Sequence, residues 1–188
     1  MSGRRRPLDQ VVLSLLAAGL ALASVGCGGS GGAPSGMTRF ADRGLVLDYP
    51  SGWKKETAGI GTSGQLLNVR SPGDAHGLYV RATLFRQPRE YSGIGQYGKD
   101  AARTRPFDLV DGRAVSDGPL SVPGASDGGW IVRTNYSYRQ DGRKFPSRGV
   151  ELLALTGNEQ FRLTIAGPRD AVERSPEVTA MRKSLRVG

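Results

Sequence analysis

The chain has 188 residues, with 26 Lys and Arg against 17 Asp and Glu, a formal net charge of +9, one His and one Cys. A lone Cys excludes an internal disulfide, and one His beside one Cys excludes the usual zinc ligand sets. The length suits one domain with a real core, and the basic balance turns attention to anionic partners.

The N-terminus comes first. Arg4, Arg5 and Arg6 precede an uncharged apolar run from Val11 to Ala23. That run falls short of the roughly 20 residues a spanning helix needs, so residues 1–26 read as an export signal. Ser24-Val25-Gly26-Cys27 resembles the bacterial lipobox; Gly26 fits the pattern, and Ser24 stands where Leu is usual. The resemblance implies a lipoprotein signal peptide and a Cys27 that takes acyl chains of the palmitate type and becomes the first mature residue. Two or more chains hold a protein stably on a bilayer, at about 0.8 kcal/mol per buried methylene. Residues 27–37 then form a lipidated tether rich in Gly and Ser, serving reach rather than packing. Export argues against a nucleic-acid partner despite the charge. The bilayer, an envelope protein or an anionic envelope polymer are the partners that remain.

The folded part opens with Leu45 to Tyr49, an alternating strand that stops at Pro50-Ser51-Gly52. Gln65–Arg70 reads as a second strand and Gly77–Gln87 as a longer one, with Leu78, Val80, Ala82 and Leu84 sharing a face. Tyr91, Ile94, Tyr97 and Ala101 recur at helical spacing. Between Pro106 and Pro123 the signals are mixed; Asp111-Gly112 and Asp117-Gly118 read as tight turns between short extended pieces. A meander follows: an alternating strand from Trp130 to Tyr138, a turn at Asp141-Gly142, a run from Val150 to Thr156 apolar enough to be covered on both faces, a turn, and a strand over Phe161 to Ile165. The chain closes with a helix that has Ser175 at its N-cap, Pro176 at its first position, and Val178, Met181 and Leu185 on one face. Sheet first and helix last, without parallel alternation, makes an α+β domain over residues 38–188.

Two stretches of that domain carry a family likeness. Tyr49-Pro50 with Trp53 resembles the strand-and-corner opening of the PsbP-like fold, and Ser184-Leu185-Arg186 resembles the element that ends its last helix. The likeness also extends to actinobacterial envelope lipoproteins of the LpqN/LpqT type, which share the signal, the lipobox and the tether. It implies an antiparallel β-sheet of about six or seven strands flanked by helices, an α/β/α sandwich, and a family of binding and assembly proteins without catalytic residues.

Several motifs invite a chemical reading. Gly93-x-Gly95-x-x-Gly98 has the spacing of a dinucleotide loop, but Pro88 breaks the preceding strand and no second parallel strand follows, so a short helix is expected and no cofactor. Gly124-Ala-Ser126-Asp-Gly128 spells a nucleophile elbow, yet a strand rather than a helix follows it, and the only His, His76, lies upstream. Asp108, Asp111, Asp117 and Asp127 lie in Gly-rich turns without a calcium-loop spacing, so no metal is expected. Asn135-Tyr136-Ser137 matches a glycosylation sequon placed mid-strand, inert in a bacterium. What remains is the crowding of Trp130, Tyr136 and Tyr138 with Arg133 around the first hairpin of the meander, next to Arg139, Arg143, Lys144 and Arg148, the candidate partner-binding edge.

Taken together, the sequence predicts a lipid-anchored protein on the extracytoplasmic face of the cell membrane that binds or assembles and does not catalyse. A carrier of a lipid or small apolar ligand, and an envelope hydrolase of unfamiliar type, are the alternatives.

Overall fold

The computed structural model describes residues 32–57, 59–103 and 112–188. Cys27, most of the tether and the 104–111 stretch with Asp108 and Asp111 lie outside them. A two-stranded sheet comes first, β1 (Met37–Asp42) against β2 (Leu45–Pro50). Arg43 and Gly44 turn between them with φ of 42° and 85°, the left-handed pair of a two-residue hairpin. The sequence does not announce β1, and this strand takes Met37 out of the tether: Met37 pairs with Pro50, and the Ser51 amide donates to the Gly36 carbonyl at 2.9 Å.

The main sheet has seven antiparallel strands: β3 (Lys54–Lys55), β4 (Gln65–Arg70), β5 (Arg81–Pro88), β6 (Arg113–Leu120), β7 (Gly129–Gln140), β8 (Arg143–Thr156) and β9 (Glu159–Pro168). Their spatial order is β3-β4-β5-β9-β8-β7-β6. Two sequence expectations change here. Residues 77–80 form a loop rather than the start of β5, because Ser71 and Asp74 accept the amides of Val80 and of His76 and Leu78. Asp117-Gly118 is no turn either: both residues sit inside β6, opposite Val132 and Ile131 of β7.

Helices cover both faces of this sheet, as an α/β/α sandwich requires. Side chains alternate along a strand, so Val150, Leu152 and Ala154 of β8 face one side while Leu153 and Leu155 face the other, and all five are buried. The first side carries the main core, closed by the β1–β2 hairpin, by α2 (Arg169–Arg174) and by α3 (Pro176–Ser184). The second side packs Leu153, Leu155 and Val132 against Tyr97 of α1 (Ile94–Arg103). The apolar run in β8 is therefore apolar because both of its faces are covered.

The glycines of the dinucleotide-like motif belong to α1 and to the turn before it. Gly98 is there for contact: a Cβ on it would stand 2.5 Å from the Trp130 ring. Gly98→Ala gains up to about 1 kcal/mol of helix propensity, but overpacking typically costs about 1–3 kcal/mol. The expected net result is destabilisation by about 1–2 kcal/mol, read from the urea midpoint.

The two stretches that carry the family likeness meet in space. Val46 and Arg186 exchange backbone hydrogen bonds of 2.9 and 3.0 Å, and the Asp48 amide donates to Ser184 Oγ at 2.8 Å. Trp53 sits in the main core. Leu185, predicted on the helix, is instead the extended residue just after α3, and it is buried all the same. Ser175 does cap α3, accepting the Val178 amide at 3.2 Å.

Candidate binding surface

A row of paired residues crosses the main sheet: Lys54, Arg70, Arg81, Ala166, Gly149 and Thr134. Beyond this row the β7–β8 hairpin continues for six more residue pairs, to Gln140 opposite Arg143. β9 leaves it at Pro168, opposite Ser147. The hairpin thus ends in a two-stranded arm that turns at Asp141-Gly142, with φ of 50° and 75°. That is the turn the Asp-Gly pair predicts.

Three of the four predicted binding residues sit on this arm. Arg139 pairs across it with Lys144, and Arg143 lies at its end; all three are exposed, and none has an ion-pair partner among the described residues. Tyr138 lies beside them with 49% of its surface exposed. Arg148 does not belong with them. Its side chain is only 13% exposed, and its guanidinium donates to the Glu173 carboxylate of α2. The reason is register: Arg148 stands where β8 passes beneath α2, on the core side of the sheet.

The aromatic residues separate as well. Trp130 belongs to the packing under α1. Tyr136 is half-buried, and burial pushes its phenol up. Arg133 lies near Arg182 of α3, and burial first, then this neighbouring charge, hold the Arg182 guanidinium down.

Sequence reasoning misses a neighbouring cluster contributed by the 71–80 loop. Tyr79 stands between the guanidinium groups of Arg70 and Arg81, at 5.1 and 5.4 Å from the ring centre. Glu56 joins the same two arginines at 2.8 and 3.3 Å. Tyr79, Arg81, Tyr136, Tyr138 and Gln140 line an open groove of about 240 Å³. The loop also props the arm: Gln140 donates to the His76 carbonyl at 3.3 Å, and the His76 ring lies 5.4 Å from that of Phe145. No local signal announces this cluster, since it depends on the pairing of β4 with β5 and on a loop folding back across the sheet end.

The other motifs lie elsewhere. Ser126 sits in the β6–β7 connection, where its hydroxyl meets Asp127 and Thr156. His76 lies in the β4–β5 loop, at the opposite end of the strands. Among the described residues, no three His, Cys, Asp or Glu side chains gather as metal ligands would. Behind α1, the Tyr97 hydroxyl donates to Glu151, and burial, then that carboxylate, push the phenol far above its ordinary range. A raised pKa in the folded state stabilises below the unfolded tyrosine value of about 10 and fails above it. Stability is expected to fall above about pH 10, and Tyr97→Phe to flatten part of that fall, as read from thermal midpoints against pH.

The fold is PsbP-like. No family model and no curated protein matches the chain. Among solved structures, it is similar to cyanobacterial PsbP (CyanoP) from Synechocystis, with a TM-score of 0.54 and 12% identity over 87% of this chain and 98% of that one. It is also similar to LpqN of Mycobacterium tuberculosis, a protein described as involved in cell envelope biogenesis, with a TM-score of 0.49 and 12% identity over 80% and 90% of the two chains. Among the described residues no helix is long and apolar enough to cross a membrane.

Proposed function

We propose that the protein is an envelope lipoprotein, held on the outer face of the cell membrane by acyl chains on Cys27, whose domain works as a binding or assembly module without catalysis. The signal, the lipobox and the Gly/Ser tether support the anchor. One observation carries the binding role: a projecting arm presents Tyr138 with three cations that have no acidic partner among the described residues, next to an aromatic groove. The three cations are gathered at one strand end, Arg143 on the face of Tyr138 and Arg139 and Lys144 on the other, and Tyr and Arg are residue types enriched at interface hot spots.

The groove, at about 240 Å³, lies below the roughly 300–1,000 Å³ typical of small-molecule pockets. The hollow beside α3 that Leu152 and Leu185 line is of similar size, about 250 Å³. A wider open cleft of about 600 Å³, lined by Leu78, Tyr79, Phe145, Pro146 and Arg169, falls within that range and carries the alternative reading of an apolar-ligand carrier. A photo-crosslinking residue placed at Tyr138 in living cells tests the reading. Adducts at that site, and none from the same residue at Ile60, are the expected result. Equal or absent crosslinking at the two sites rejects the arm as a binding surface.

A further inference from the structure

The tether leaves the domain at the same end as the arm. Gly36 bonds to Ser51, the Trp53 amide donates to the Pro50 carbonyl, and Lys54 then enters the row that marks the base of the arm. From that row the hairpin extends six residue pairs, the last four as the two-stranded arm. At a strand rise of about 3.4 Å per residue, that is roughly 20 Å. Ten residue steps link Cys27 to Met37. Fully stretched they reach about 35 Å. That reach covers the distance from the row to the arm's tip.

The charges at the two ends of the strands differ. At the arm end, Arg139, Arg143 and Lys144 outnumber Asp141, while Lys54 and Lys55 lie exposed on β3, at the far edge of the sheet. Of the other acids at this end, Asp74 accepts the amides of His76 and Leu78, Glu173 pairs with Arg148, and Asp170, in the cleft beside Phe145 and Pro146, pairs with Arg174 at 3.6 Å. At the opposite end Arg89 pairs with Asp127 at 2.7 Å and Arg86 with Glu159 at 2.7 Å, beside Glu90, while Arg43 and Arg186 are exposed singly, one in the β1–β2 turn and one after α3.

We infer that the arm is a second membrane contact. Tyr138 sits at headgroup level, and Arg139, Arg143 and Lys144 bind anionic lipid headgroups of the leaflet that holds the Cys27 acyl chains. The inference rests on the anchor proposed above. A basic residue close to an anionic surface adds roughly fivefold to partitioning, and the attraction reaches only about 8–10 Å at ordinary salt. The patch would gain little on a free domain. A tether that leaves the domain at the same end of the strands, and is long enough to span the distance to the arm's tip, brings it within that range. An aromatic ring with cations around it suits the interface between headgroups and acyl chains.

Hydrogen exchange on the acylated chain, purified from its bacterial membranes, separates the two readings. The chain is reconstituted in phosphatidylcholine vesicles and in mixed phosphatidylcholine–phosphatidylglycerol vesicles, and flotation reports the anchor. The expected result is flotation with both, and exchange in residues 137–146 slowed about tenfold on the anionic vesicles alone. High salt should reverse the slowing, and so should Arg143→Glu with Lys144→Glu, two exposed positions whose exchange reports docking while the rest of the domain reports folding. Flotation without slowing overturns the arm contact and leaves the anchor standing. Slowing that is equal on neutral vesicles, or unchanged in the charge-reversed variant, also overturns it. Slowing by soluble polyphosphate that exceeds that on the anionic vesicles assigns the arm to a polymer and overturns the lipid contact. Failure to float rejects the anchor, and the arm contact with it.

Discussion

Cys27→Ala is expected to move essentially all of the protein from the membrane fraction to the soluble one, and to abolish labelling by an alkyne fatty acid. Each buried methylene contributes about 0.8 kcal/mol, so two or more acyl chains hold the chain far more strongly than a few surface charges do. The variant removes that whole term and leaves the domain untouched, because position 27 precedes every element among the described residues. Gel migration of the labelled band and carbonate extraction of membranes measure it. Equal labelling of wild type and variant would place the modification elsewhere and remove the reason for the tether.

The second large effect concerns the cation that the sequence places on the binding edge and the structure does not. Glu173→Ala is expected to destabilise the domain by about 1–3 kcal/mol, because it leaves the largely buried Arg148 guanidinium without its partly exposed partner on α2. Nε and Nη1 of Arg148 are already buried without a hydrogen-bond partner, so nothing within the described residues replaces the lost carboxylate. Arg148→Met keeps much of the volume, removes the charge, and is expected to cost less than Glu173→Ala. Urea midpoints rank the two. The reverse ranking, or a loss of binding at unchanged stability, would return Arg148 to the binding surface.

That residue also shows how far the sequence can be read. Alternation and Asp-Gly punctuation locate the meander, since both are local signals, and Ser175-Pro176 locates the start of α3 for the same reason. Arg148 groups with Arg139, Arg143 and Lys144 only because all four are close in sequence. Its fate is set by α2, a six-residue helix that begins after Pro168 without a side-chain cap and so leaves little trace in the sequence. β1 escapes notice because its residues are mostly half-buried and its partner, β2, supplies most of the apolar contrast. Asp117-Gly118 misleads in the opposite direction. The pair is a common turn signal, but in an edge strand a backbone without bulk is tolerated, and the hydrogen bonds to β7 hold it extended. At the binding surface, the arm and its three exposed cations are legible. Tyr79 between Arg70 and Arg81 is not, because that grouping exists only once separate strands are in register.

The junction between β2 and the end of α3 with the segment after it joins residues far apart along the polypeptide; Asp48 and Ser184 are 136 positions from one another. Such distant closure is slow, because the intervening chain must first be confined. A polypeptide emerging from a translocation pore head first would hold its early hairpin without a lasting seat until the final stretch arrived. The architecture therefore delays completion until the final stretch is available, an order that would suit the export proposed together with the Cys27 anchor.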